Sequence, residues 1–278
     1  MQTVTSISGG QSSAYVAANY PAHFLLFALV CVEDRSLTPK DAGLVKQVSD
    51  KIGREFIGTV EDDTILHTIL DLEQYLGQRI DWVAGEPFEK VIDSKGGYLP
   101  NKMARYCTTE MKLRPLFRFW RDNIKEPVTT QIGFRCGESS RAETMLDKCN
   151  EDGLLGFKDI VGKTKDGRNK WATTFWQKPA FPMLEDGIRK DHVIEYWKDK
   201  PVRFAERNNC IGCFWRGPML LRKMADTHPD KYAWFAKQEE SGNRWRSDCT
   251  YKEIQQHKLQ LELNWDDFAD CDSGQCGL

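Results

Sequence analysis

The fold turns on residues 1–21, MQTVTSISGGQSSAYVAANYP, and within them on residues 6–14, SISGGQSSA. Thr3 to Ile7 is rich in β-branched residues, which suit a buried, pleated strand. Ser13 to Tyr20 has the small and aromatic spacing of a helix that stops before Pro21. A strand, a glycine turn and a helix start in succession are the parts of a phosphate cradle. Gly9 and Gly10 let backbone come close to an anion, while amide N–H groups and the helix dipole attract it. The same residues also fit an ordinary strand-to-helix turn.

Working outward, residues 23–33 (HFLLFALVCVE) read as a second buried strand ending near Glu33 and Asp34. Residues 38–53 follow as a helix with Thr38 at its N-cap, Pro39 at its first position and Gly53 at its end. Residues 54–60 (REFIGTV) predict a third strand and residues 63–77 an amphipathic helix. Alternation of this kind indicates an α/β fold, a parallel sheet with helices on both faces. Residues 93–122 run from a basic glycine loop into a helix, and residues 127–135 (PVTTQIGFR) give another strand. The Gly-, Lys- and Asp-rich stretch after residue 148 predicts a surface insertion, and the chain from residue 181 turns helical. The expected organisation is a nucleotide-binding α/β core over 1–148, an insertion over 149–178 and a helical region over 179–278.

The chain of 278 residues is 40% hydrophobic and 29% charged, as a globular protein should be. No apolar run approaches the ~20 residues of a membrane helix, and the N-terminus has no signal-peptide pattern, so a cytoplasmic location without membrane association is expected. A net charge of −2 gives no global attraction to nucleic acid, so any anion site must be local. Nine cysteines is a high count where disulfides are rare, and points to metal, cluster or redox chemistry.

Three cysteine-bearing segments carry that signal. In RYCTTEMKLRP (105–115), Cys107 lies among Arg105, Lys112 and Arg114. Cations favour the thiolate that binds metals or attacks; the segment equally fits a half-buried helix cysteine with solvated basic neighbours. In NNCIGCFWRGP (208–218), Cys210 and Cys213 have the C-x-x-C spacing of a metal site, a redox dithiol or a chance pair. At the end, Cys271 and Cys276 sit in a glycine-containing tail, as exposed thiols or as groups able to swing into a site.

In order along the chain these motifs resemble one family, the PAPS-reductase-like proteins of the adenine-nucleotide α-hydrolase superfamily. SGGQSSA (8–14) is similar to their pyrophosphate-binding loop, SGGxDS. RYCTTEMKLRP resembles the reductase segment with a cysteine before Lys and Pro. IGFRCGESSR (132–141) matches their arginine element at Arg135, Glu138 and Arg141. FPMLEDGIRKDHVIEYW (181–197) is like their PLxxWTxxDVxxYi helix, NCIGC falls at their C-x-x-C, and QCGL (275–278) resembles their ECGLH tail. The likeness spans nearly the whole chain and favours the cradle over the plain turn.

The resemblance implies an adenine nucleotide (PAPS, APS or ATP) held at its phosphates by Ser8, Gly9, Gly10, Gln11, Ser12 and Ser13, with adenine and ribose against Val30 to Asp34. Arg135 and Arg141 would grip sulfate or phosphate oxygens by forked hydrogen bonds, and Lys102, Arg105 and Lys112 would add local positive charge. It further implies a 4Fe–4S cluster on Cys107, Cys210 and Cys213, with Cys271 as fourth ligand. Zinc on Cys210, Cys213, Cys271 and Cys276 is the alternative. Cys276 corresponds to the nucleophile, with thioredoxin or glutaredoxin as reductant.

Three departures matter. Ser12 stands where ATP-hydrolysing members carry an Asp that helps hold Mg²⁺, a role Glu33 or Asp34 would have to fill; Thr108 replaces a second cysteine; and the tail lacks the terminal His. The leading expectation is thiol-dependent sulfonucleotide reduction. The alternatives are ATP-dependent sulfur insertion into nucleic acid and a non-catalytic nucleotide-binding accessory module, as in phage and CRISPR-associated loci.

Overall fold

The computed structural model describes residues 1–257. In chain order the elements are β1 (Gln2–Ile7), α1 (Gln11–Asn19), β2 (Phe24–Leu29), α2 (Ala42–Ile52), α3 (Asp63–Leu76), β3 (Ile80–Ala84) and α4 (Phe88–Ser94). Then come α5 (Tyr106–Thr108), a π-helical turn (Thr109–Leu113), α6 (Arg114–Asn123), β4 (Val128–Gln131), α7 (Ser139–Leu146), β5 (Leu155–Lys163) and β6 (Asn169–Ala180). The remainder is helical: α8 (Pro182–Glu185), α9 (Lys190–Trp197), α10 (Pro218–Thr227), α11 (Pro229–Gln238) and α12 (Tyr251–Gln256).

The chain folds into two compact units, each assembled from three separated stretches. The first comprises residues 1–27, 69–83 and 114–202; among the described residues the second comprises 28–68, 84–113 and 203–257. The first unit holds a six-stranded mixed sheet in the order β3-β2-β1-β4-β6-β5. β1 pairs in parallel with β2 and β4, β4 pairs in parallel with β6, and β5 returns antiparallel along β6. The mostly parallel α/β sheet expected from the sequence is therefore present. Residues 149–178, expected as an insertion, supply β5 and most of β6 and so extend the sheet itself. The ribbon is clamped by aromatic packing of Phe157 and Trp176 on Phe117 of α6. A buried ion pair from Arg114 to Asp159 secures it further.

The expected third strand at 54–60 does not form. That segment makes one isolated bridge, Gly58 with Val32, and Glu61 just beyond it makes another with Cys210. Gly58 lies so near Leu37 that a Cβ would stand 2.7 Å from its carbonyl oxygen. The third strand in sequence is instead Ile80–Ala84. The α2 cap also differs: Asp41 accepts from the N–H groups of Gly43 (2.8 Å) and Leu44 (3.1 Å), while the Thr38 hydroxyl donates to the Arg35 carbonyl. A carboxylate that accepts from two amides caps better than a threonine already turned back on its own turn. Gly53 ends the helix as expected, at φ +68°.

The second unit is organised around an aromatic core containing Phe88, Tyr232, Trp234, Phe235, Trp245 and Tyr251. Trp245 is its hub, with ring contacts to Phe88, Phe235 and Tyr251 and an indole N–H donated to the Phe235 carbonyl at 2.9 Å. Trp245→Ala should cost about 3–5 kcal/mol, the usual penalty for emptying a large aromatic site. A urea titration checks this; an unchanged midpoint would contradict the hub role.

Candidate functional site

In the first unit the chain leaves β1 at an exposed Ser8, turns at Gly9 with φ +80°, and enters α1 through Gly10. Left-handed backbone at Gly9 is strained for any residue with a Cβ. The turn is closed by Ser13. Its hydroxyl donates to the Gly10 carbonyl (3.0 Å) and accepts from the Ser8 amide (3.0 Å), and it lies 3.1 Å from the Ser8 hydroxyl. Ser13 is buried, so the structure gives it a loop-closing place, while Gln11 and Ser12 are partly exposed. Trp197 of α9 donates its indole N–H to the Gln11 carbonyl at 3.0 Å, and Tyr20 donates to Asp186 at 2.7 Å. The 181–197 segment thus braces the start and end of α1.

β4 delivers the second half of this site. A Cβ on Gly133 would stand 3.0 Å from the Ser13 nitrogen and 3.1 Å from the Ser12 carbonyl carbon, so the two backbones are in direct contact. Further along the same loop, Glu138 binds both expected arginines. Its Oε2 accepts from the Arg135 side chain (3.1 Å) and backbone (2.9 Å), and its Oε1 accepts from Arg141. The Arg141 guanidinium also lies 4.0 Å from the centre of the Phe134 ring, which stacks on Phe181. Two guanidinium groups share one carboxylate in the loop whose Gly133 touches the glycine turn, at the carboxyl ends of parallel strands. That arrangement suits a phosphate or sulfate group.

The second unit gathers the cysteines. Cys107, Cys210 and Cys213 line one recess with Val30, Lys112 and Trp215. The C-x-x-C loop is fixed by the Ile211 amide donating to the Val60 carbonyl (2.8 Å). The Tyr251 hydroxyl donates to the Gly212 carbonyl (2.7 Å). Glu61 sits opposite Cys210 in a β-bridge, which puts both side chains on one face. Its Oε1 pairs with Lys112 at 3.2 Å, and the residue is 2% exposed. Arg105 and Lys102 lie over the Trp215 ring, 5.3 and 5.8 Å from its centre.

Three buried polar atoms around this recess have no hydrogen-bond partner among the described residues: Glu61 Oε2, Arg105 Nε and Trp215 Nε1. Buried donors and acceptors are rarely left so, and a cluster of them marks a place where another group belongs. Three thiols with adjacent N–H donors and cationic side chains fit an anionic iron–sulfur cluster. Among the described residues no group of three or more His, Cys, Asp or Glu side chains is set to hold a single metal ion. Thiolates on one tetrahedral ion would have to stand about 3.8 Å apart, given Zn–S bonds of ~2.3 Å.

The cationic neighbours do not win the contest over Cys107. Burial pushes its thiol up to about 11, the nearby Cys213 adds to the rise, and Lys112 opposes it only in part. Burial first, and then the Glu61 carboxylate, drives Cys210 well above the ordinary thiol range. The expectation that basic neighbours favour a bare thiolate at Cys107 is thus corrected: desolvation is the larger effect.

The remaining expected residues fall in the second unit or beyond. Val30 is fully buried and faces the cysteine recess. Glu33 pairs with Lys90 at 2.9 Å, and Asp34 caps a short turn by accepting from Ser36, whose hydrogen bonds hold its carboxyl below the usual range. Both carboxylates suggested as Mg²⁺ substitutes therefore already have protein partners. Cys271 and Cys276 lie outside the described residues. Gly133 lies within the arginine element (132–141) but has no mark of its own there, while Glu61 and Trp215 have no signature in the sequence; Glu61 looks there like one more acid in a V-E-D-D run.

The chain matches no family model, no curated protein and no solved structure.

Two outcomes are expected. Ser13→Ala strips a partner from the Ser8 amide and should destabilise the protein by about 1–3 kcal/mol in chemical denaturation, with faster amide exchange at Ser8. In metal-free reduced protein at about pH 8, the Cys107 thiol, raised by burial, stays almost wholly un-ionised. Iodoacetamide should therefore modify exposed Cys136 at least about tenfold faster than Cys107 by peptide mass spectrometry.

Proposed function

We propose that this chain is a PAPS-reductase-like enzyme that binds an adenine nucleotide at the Ser8–Ser13 turn and performs thiol-dependent sulfur chemistry. The adenine-nucleotide α-hydrolase type of α/β sheet belongs to the same proposal. The observation that carries it is the contact of Gly133 with Ser12 and Ser13, which sets the Arg135–Glu138–Arg141 array next to the glycine turn. A turn of backbone amides recognises phosphate without a side chain, and a pair of oriented guanidinium groups recognises a second tetrahedral oxyanion. A sulfonucleotide presents both.

In the reductase form, the Cys276 thiolate attacks the sulfur of PAPS or APS. The S–O bond to the nucleotide phosphate breaks, the nucleotide leaves with that oxygen, and the enzyme keeps a cysteine thiosulfonate. A dithiol reductant of the thioredoxin or glutaredoxin class then attacks the cysteine sulfur, releasing sulfite and ending as a disulfide. Arg135 and Arg141 would orient the sulfonate and offset charge on the departing phosphate, with Glu138 fixing their planes.

Cys107, Cys210 and Cys213 would hold a 4Fe–4S cluster, with Trp215 Nε1 and Arg105 Nε as donors to its sulfides and Lys112 balancing its charge. When bound, such a cluster supplies positive charge on iron and hydrogen-bond acceptors within an apolar pocket.

Incubation of anaerobically purified protein with labelled PAPS, APS or ATP and thioredoxin tests the reading. Sulfite and an AMP-type product are expected from a sulfonucleotide, with Arg135→Ala lowering kcat/KM at least about a hundredfold. ATP consumed only when nucleic acid is added would overturn the reductase form in favour of sulfur insertion; no turnover and no nucleotide binding would overturn the whole. The purified protein should also absorb broadly around 400 nm, and Cys213→Ala should lose that band while remaining folded by circular dichroism.

A further inference from the structure

The β5–β6 ribbon has two unlike faces. Directly opposed residues of an antiparallel pair share a face. Phe157 with Thr174 and Asp159 with Ala172 form the covered face, where Phe157 meets Phe117 and Asp159 pairs with Arg114. Gly156 with Phe175, Lys158 with Thr173 and Ile160 with Trp171 form the other face. There Phe175, Ile160 and Trp171 are 42%, 41% and 46% exposed. A row of three large apolar side chains left in water on one sheet face requires an explanation.

The setting of those side chains narrows the occupant. A Cβ on Gly156 would stand 3.1 Å from an edge carbon of the Phe175 ring and 2.6 Å from the Thr173 methyl, so the ring rests against bare glycine backbone. Trp171 sits four residues further out. Lys158 lies between them on the same face, and the ribbon tip adds Lys163, Lys165, Arg168 and Lys170, all exposed, against Asp166. In a chain of net charge −2 this is a strong local excess of positive charge. Edge-to-edge pairing with a second copy is discouraged by the register breaks at Leu155/Gly156 and Ile160/Gly162 and by the lysines along β5.

We infer that the outer face of this ribbon binds single-stranded nucleic acid, its bases stacking on Phe175 and Trp171 and its phosphates meeting the basic tip. Aromatic faces spaced along a basic track suit unpaired bases, whose π-faces are hidden in a duplex. β6 runs parallel to β4 and reaches from Gln177, beside Val128, outward to Asn169, about 26 Å at ~3.3 Å per residue. The tip therefore projects from the edge of the sheet opposite the glycine turn, and the ribbon is an anchoring surface. This inference goes beyond the proposed reaction and does not depend on it.

The test is fluorescence anisotropy of the full chain with labelled single-stranded DNA and RNA of about 20 nucleotides, and with the same DNA as duplex, between roughly 50 and 200 mM salt. Single strands should bind more tightly than duplex. Trp171→Ala and Phe175→Ala should each weaken single-strand binding about 5- to 150-fold, and Trp171→Phe should retain most of it. Replacing Lys163, Lys165, Arg168 and Lys170 together by Ala should flatten the dependence of log K on log salt by about 0.7 for each phosphate left without its cation. None of these side chains is buried, so circular dichroism should be unchanged, and any fall in melting temperature should be confined to the aromatic variants, Phe175→Ala above all, whose ring packs on Gly156. The inference is overturned if the wild-type chain binds no single strand at low salt, if duplex binds equally well, or if the aromatic variants bind like wild type. A dimer that Trp171→Ala dissolves would overturn it in favour of a self-interface.

Discussion

Everything in the first unit follows from one close approach, the backbone of Gly133 against the backbone of Ser12 and Ser13. β1 and β4 run in parallel register, Thr5 beside Gln131, so their carboxyl ends emerge side by side. A Cβ at residue 133 would lie 3.0 Å from the Ser13 nitrogen, so the facing backbone would have to give by a few tenths of an ångström. Contact at this point makes the turn after β1 and the arginine loop after β4 a single structure. Indirect supports then hold it: Trp197 on the Gln11 carbonyl, and the Cys136 amide on the Ile188 carbonyl at 2.7 Å. The segment after β6 is therefore scaffolding for the turn, and its aromatic residues read as structural.

The second unit solves a different problem. Its recess is lined by Phe88, Phe214, Phe235 and Trp245, with Cys213 buried and Cys107 and Cys210 partly buried. Burial of that kind opposes negative charge on sulfur, and it raises the Cys107 and Cys210 thiols. It also strengthens each hydrogen bond and charge interaction made inside. Such a pocket is poor for a bare thiolate nucleophile; in the proposed reading a bound cluster would neutralise the charge of its thiolates. The unpartnered atoms of Arg105, Trp215 and Glu61 agree with the same division of labour.

How much of this is legible in the sequence depends on the kind of signal. β1, α1 and the helix over residues 63–76 stand out because β-branched runs, glycine punctuation and 3.6-residue periodicity are local. Cys107 and the C-x-x-C pair can be flagged by type and spacing, yet their meeting in one recess is tertiary and has no local mark. Residues 54–60 have strand-like composition, but Gly58 is required by the Leu37 backbone, and that contact leaves an isolated bridge in place of a ladder. Residues 149–178 look like an insertion because Lys, Asp and Gly dominate their middle. The alternating Phe157, Asp159 and Trp176 that pack inward are diluted by that polar tip. Burial of Glu61 is the hardest case, since its partner Lys112 lies 51 residues away.

Charge shows why composition alone misleads for this molecule. A net charge of −2 excludes a globally basic surface, yet cationic side chains are concentrated where a particular neighbour holds them. Glu138 fixes two arginines; Trp215 carries Lys102 and Arg105 on its face; Lys112 is held by a buried carboxylate. In each case an acidic or aromatic neighbour anchors the cation, and its geometry is set before any ligand arrives. Pre-set cations lose less side-chain entropy on binding than mobile surface lysines do. If these cations bind anions as proposed, the acidic and aromatic anchors would be as much a part of that recognition as the basic residues they hold, although their own charge and composition point the other way.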